Sequence, residues 1–140
     1  MNFLAHLIVT LVFVKIADLS GMNIFWALMF GVFIDFDHLI KLPLYIKQNG
    51  FKIVRYWNWR TGFQEPVSLL WIIPLNIYIH TWVPVFFFIT HIVLDYLMSY
   101  EKQPFYPFSS FTIKQRKIKL DDSLGIVTVV IAICIYVFLV

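Results

Sequence analysis

GVFIDFDHLIKL, Gly31 to Leu42, sets two aspartates and a histidine directly after thirteen residues, Met22 to Ile34, in which Asn23 is the only strongly polar side chain. Whether this stretch belongs to a soluble core or to the end of a membrane helix decides the fold, and composition points to the second. Apolar residues make up 61% of the 140-residue chain and charged residues 14%, with a mean hydropathy of +0.81. Soluble domains average roughly 45–50% apolar and about 25% charged. The expectation is an all-α integral membrane bundle of about five transmembrane helices, one domain over residues 1–140.

Working outward, five segments approach the roughly 20 apolar residues that cross a hydrocarbon core. They are Asn2 to Ala17, Met22 to about Ile40, Val67 to Ile79, Thr81 to Met98 and Ser123 to Val140. Lipid offers no partners to backbone groups, so helices are expected, and no period-two alternation argues for a barrel. Pro74 is expected to kink the third segment or split it in two. The opening MNFLAHLIVTLVFV lacks a basic start and runs into Lys15 and Asp18 instead of a small-residue cleavage site, so it reads as a retained segment and not as a secretory signal. The single cysteine, Cys134, excludes an intrachain disulfide and a cysteine-based zinc site, and reads as a lipid-facing or packing residue.

Two polar connections remain, Lys41 to Pro66 and Ser99 to Asp122, and between them they hold ten of the eleven lysines and arginines. Basic residues beside hydrophobic segments fix topology, so the formal charge of +3 speaks for a membrane surface and not for nucleic acid. Both connections are expected in the cytoplasm. The chain then starts inside, crosses five times and belongs in the cell (inner or plasma) membrane, with lipids as its partners.

This topology brings ionisable residues to one depth. His6 lies about one turn from the start of the first helix; Asp35, Asp37 and His38 end the second; His91 and Asp95 end the fourth. Asp35 and His38 share a helix face, as do His91 and Asp95. Asp37 stands about 160° from Asp35 on a regular helix, so it joins the same site only if the helix ends or distorts there. Imidazole and carboxylate donors suit zinc or another divalent ion, one or two of them. The plain alternative is that such groups only pair across helices. His80, at the opposite turn, reads as an interfacial anchor, and the aromatics as packing with no cofactor.

His6, GVFIDFDH (Gly31 to His38), WRTGFQEP (Trp59 to Pro66), HIVLD (His91 to Asp95) and FYPFS (Phe105 to Ser109) resemble, in order, the motifs of small membrane-bound metal-dependent hydrolases. That family includes a DNA-damage-regulated inner-membrane protein of bacteria. The resemblance runs from His6 to about Pro107 and implies a metal-dependent hydrolase whose ligands or their supports are His6, Asp35, Asp37, His38, His91 and Asp95. The chain departs from the family pattern at Ile34, where proline is usual, and at Trp59 and Gln64, where histidines are. Glu65 then stands as candidate general base and Arg60 as anion clamp. Arg60 reads equally as a topology charge, and Glu65 equally as a helix cap ahead of Pro66.

A site at headgroup depth makes a lipid-borne ester or phosphoester the expected substrate. The missing histidines favour a catalytically degenerate relative with a structural metal site or an interaction role. A transporter ranks last, because the outer halves of the second and fourth segments carry almost no polar side chains.

Overall fold

The computed structural model describes residues 3–50, 61–98, 101–111, 113–114 and 131–137. The described chain is helical apart from one two-residue antiparallel ladder, β1 (Glu101–Lys102) with β2 (Ile113–Lys114). The helices are α1 (Phe3–Ile16), α2 (Met22–Gly31), α3 (His38–Asn49), α4 (Leu69–Tyr78) and α5 (Val83–Met98), with 3₁₀ turns at Phe33–Asp37, Gly62–Gln64 and Pro66–Ser68. Residues 131–137 form a further helical stretch; the rest of the fifth expected span lies outside the described residues.

The second expected span is broken, and the break makes the site. The α-helix stops at Gly31, a poor helix former, and the backbone tightens into the 3₁₀ turn before α3 begins. A Cβ on Gly31 would stand 2.4 Å from Thr10 Oγ1 and 3.3 Å from Phe87 Cδ1, so only glycine lets α2 approach both α1 and α5 here. α2 and the segment Phe33–Asn49, which begins with the turn, are bent by 53° from one another. Beyond it the chain departs from expectation: α3 carries helix through the Lys41 end of the presumed polar connection, past Pro43, and stops where Gly50 takes φ +62.

Pro74 sits inside α4, which continues through it to Tyr78, so the third segment is not split. α5 starts at Val83 with Pro84 as its second residue, a position whose N–H has no helical partner in any case. Among the described residues no single helix is long and apolar enough to cross a membrane; α2 and the following Phe33–Asn49 segment pass that test only as a bent pair.

Side-chain contacts give the helix directions. Asn23 at the start of α2 meets Thr81 just before α5, while Gly31 at its end meets His91 far along α5, so α2 and α5 run the same way. α1 and α4 run against them, since His6 meets Asp95 and Asn76 meets Val85. This is the alternation the expected topology requires.

Ala27, Phe30, Ile72, Val83, Phe87, Phe88 and Ile92 form the apolar core between α2, α4 and α5. A smaller cluster joins Val9 and Val12 of α1 to Ala132. Large apolar side chains also cover the outside: Leu70 is 75% exposed, Ile77 69% and Met22 64%.

Candidate metal centre

Ionisable residues of α1, the 3₁₀ turn and α5 meet at one end of the bundle. His6 of α1, Asp35 of the 3₁₀ turn and His91 of α5 are all buried, and each offers a nitrogen or oxygen within 4.8 Å of the others'. The imidazoles of His6 and His91 stack with centroids 4.1 Å apart. Asp95, one helical turn beyond His91, serves both rings: its Oδ1 accepts from His6 Nε2 at 3.1 Å, and its Oδ2 lies 3.7 Å from His91 Nε2.

The orientation of His91 follows from its other nitrogen. Nδ1 lies 3.0 Å from the Gly31 carbonyl, which can only accept, so Nδ1 carries the proton. In the neutral ring Nε2 then turns its lone pair toward the carboxylates, 3.3 Å from Asp35 Oδ1 and without a hydrogen bond. Ligands about 2.0–2.1 Å from a tetrahedral ion are separated by roughly 3.3 Å. A lone pair facing carboxylate oxygens is an arrangement that a cation relieves. The hydrogen bond that a metal-bound histidine ordinarily makes through its second nitrogen is here the one to Gly31.

The same holds across the trio. His6 Nδ1, Asp35 Oδ2 and His91 Nε2 are buried side-chain atoms with no hydrogen-bond partner among the described residues. Buried polar atoms are ordinarily satisfied, at a cost of about 1–3 kcal/mol each when they are not. Three such atoms, one on each residue of one cluster and all of ligand type, fit a divalent ion.

Asp37 and His38 stand differently. The tighter rotation of the 3₁₀ turn brings Asp37 round toward Asp35, which is the distortion that a shared role demanded. The link is a side chain: Gln64 Nε2 donates to Asp35 Oδ1 at 2.8 Å and to Asp37 Oδ1 at 2.9 Å. Thr61 donates its hydroxyl to the other oxygen of Asp37. His38 Nδ1 lies 3.2 Å from Asp37 Oδ1, with its side chain 29% exposed, and does not join the buried trio.

Glu65 is 4% exposed and occupies the cap position before the Pro66–Ser68 turn, yet it makes no capping hydrogen bond. Its Oε2 instead accepts from the Tyr96 hydroxyl at 3.2 Å. Its carboxylate is therefore directed to α5, next to Asp95 in sequence, and the capping account fails. Pro107, in the FYPFS stretch, packs against this loop, 3.0 Å from where a Cβ on Gly62 would stand. Arg60 and Trp59 lie outside the described residues. His80 is exposed in the turn before α5 with φ +53, at the other end from His91.

Sequence reasoning missed Gln64, Thr61 and Tyr96 as partners of the acidic groups. The signal for the first two was their place in WRTGFQEP beside Glu65; Tyr96, one of seven tyrosines, had none beyond following Asp95. Comparison of the chain with protein-family models, with curated proteins and with solved structures finds no match.

Proposed function

We propose that this chain is an integral-membrane metal-dependent hydrolase acting on a lipid-borne ester or phosphoester at the cytoplasmic interface. The observation that carries this reading is the buried His6, Asp35 and His91 trio with an unsatisfied ligand-type atom on each residue. The membrane setting is supported by an inverted surface. Apolar side chains such as Leu70 and Ile77 face outward, while His6, His91, Asp35, Glu65 and Thr61 are buried. In lipid, ionisable groups are expensive and face the bundle interior, commonly at functional sites.

His6, Asp35 and His91 hold the ion, zinc first among the candidates, with Asp95 completing or orienting the set. A divalent ion there supplies Lewis acidity toward the scissile group and a water acidic enough to act at neutral pH. Glu65, kept off the helix cap and oriented by Tyr96, takes the proton from the attacking water and returns one to the leaving oxygen. Arg60 is the anion clamp for a phosphoryl group.

The deciding experiment is elemental analysis of detergent-purified protein beside His91→Ala and Asp35→Ala. Bound metal in the parent, lost in both variants, is expected; undiminished metal in both refutes the ligand set. Release of headgroup or phosphate from lipids, sensitive to chelator and abolished by Glu65→Gln with metal retained, is the enzymatic arm. Metal binding without any release would favour a structural metal site, a reading that Gln64 in place of a family histidine supports. Single cysteines introduced as Lys52→Cys and Lys117→Cys in a Cys134→Ser background are expected to label only from the cytoplasm.

A further inference from the structure

The carboxylates of this centre fall into two halves. On one side Asp35 Oδ2, His6 Nδ1 and His91 Nε2 have no hydrogen-bond partner among the described residues. On the other, each oxygen of Asp37 accepts a hydrogen bond, Oδ1 from Gln64 and Oδ2 from Thr61, and His38 Nδ1 lies 3.2 Å from Oδ1. Between the halves stands one nitrogen. Gln64 Nε2 spends both of its N–H donors, at 2.8 and 2.9 Å, on one oxygen from each aspartate. A primary amide has two such donors and no more. Two carboxylates turned toward one point are an arrangement that a second cation would occupy, and in paired-metal hydrolytic sites the ions lie about 3.5–4 Å apart.

We infer that this centre takes one divalent ion and not two, and that Gln64 sets the number by occupying with its amide the bridging position between Asp35 and Asp37. The inference rests on the metal reading above and adds a positioning role for Gln64, which acts on the ion through Asp35. Only one orientation of the amide works, because its oxygen would face two acceptors. The nitrogen therefore fixes the rotamer of Asp35 and leaves Oδ2 as the oxygen without a partner. Asp37 does not need a metal, since a hydroxyl and an amide already donate to its two oxygens. Replacing the donor with an acceptor changes this. In Gln64→Glu a third carboxylate enters the cluster, and in Gln64→His a nitrogen lone pair becomes available, each beside Asp37 and His38.

The test is stoichiometry with zinc alone. Protein in detergent is stripped with chelator and titrated with zinc against a chromophoric competitor, and bound metal at saturation is counted per chain, with helicity checked by circular dichroism. One equivalent is expected for the parent and two for Gln64→Glu and Gln64→His. Asp37→Asn is expected to keep its single equivalent, and Asp35→Asn to lose it. Two equivalents in the parent would overturn the inference while leaving the metal reading intact. No binding in the parent would overturn both. Folded Gln64 variants that stay at one equivalent would show that the amide does not set the number. If those variants fail to fold, Asp37→Asn decides: an equivalent kept supports the inference, and an equivalent lost makes Asp37 a ligand and removes it.

Discussion

At the N-terminal end of α5, the Thr81 hydroxyl donates to Asn23 Oδ1 at 3.1 Å and accepts from the Val83 N–H, while Asn76 Oδ1 accepts from the Val85 N–H. Farther along the same helix, His91 and Asp95 meet His6 and Asp35, and three ligand-type atoms there have no hydrogen-bond partner among the described residues. Both ends set polar groups in an apolar bundle, but the first uses half-buried neutral amides and a hydroxyl. With Pro84 lacking an N–H and Phe86 bonded to Trp82, the first four backbone positions of α5 are all accounted for. A polar group that finishes backbone bonding is structural. Ionisable groups brought together and left unsatisfied carry a cost that a bound cation would offset.

The largest expected effect separates the two ends outright. His6→Ala should lower zinc affinity beyond the 10–100-fold typical of supporting residues, whereas Thr81→Val should leave it unchanged; a competition titration of both variants is the measurement. Equal losses would mean that the two ends of α5 do not differ in function. Gly31→Ala comes next, because it strikes the support of a ligand and not the ligand. Its methyl would meet Thr10 Oγ1 at 2.4 Å, and its carbonyl orients His91. Overpacking of this kind costs about 1–3 kcal/mol, and a shifted carbonyl should lower zinc affinity about 10–100-fold. Denaturant titration in detergent reads the first and the zinc competition the second. Lost stability with unchanged affinity would make Gly31 a packing residue only.

How much of this was legible beforehand differs between ends and between residues. Hydropathy gave helices, and charge placement gave their alternating directions, so His6, Asp35, His91 and Asp95 could be grouped without coordinates. Asp37 could not be settled, because its partnership depends on a change from α to 3₁₀ geometry at Gly31, which a fixed rotation per residue does not register. Gln64 was visible only as a departure from a pattern. Its meaning lies in two hydrogen bonds to residues 27 and 29 positions away, and no local rule reports such bonds. The helical run through Pro43 escaped notice because lysines spaced along an amphipathic helix look, in composition, like a polar connection.

The smallest effect belongs to the opposite end, and it sharpens the comparison most. Thr81→Val keeps the shape of the side chain and removes the hydroxyl that links Asn23 to the start of α5. The Val83 N–H would lose its acceptor in a place where Val83 is fully buried. The loss should lie at the low end of the about 1–3 kcal/mol for a donor left without its acceptor, because Thr81 is only half-buried, and is read as a shifted unfolding midpoint in detergent. Zinc content should stay at the parent's level, because α2 and α5 are also held together by the Phe30, Phe87 and Phe88 core between this turn and the centre. A Thr81→Val protein that lost its metal would show that the N-terminal turn of α5 sets the register of α2 against α5, and that the two ends work as one unit.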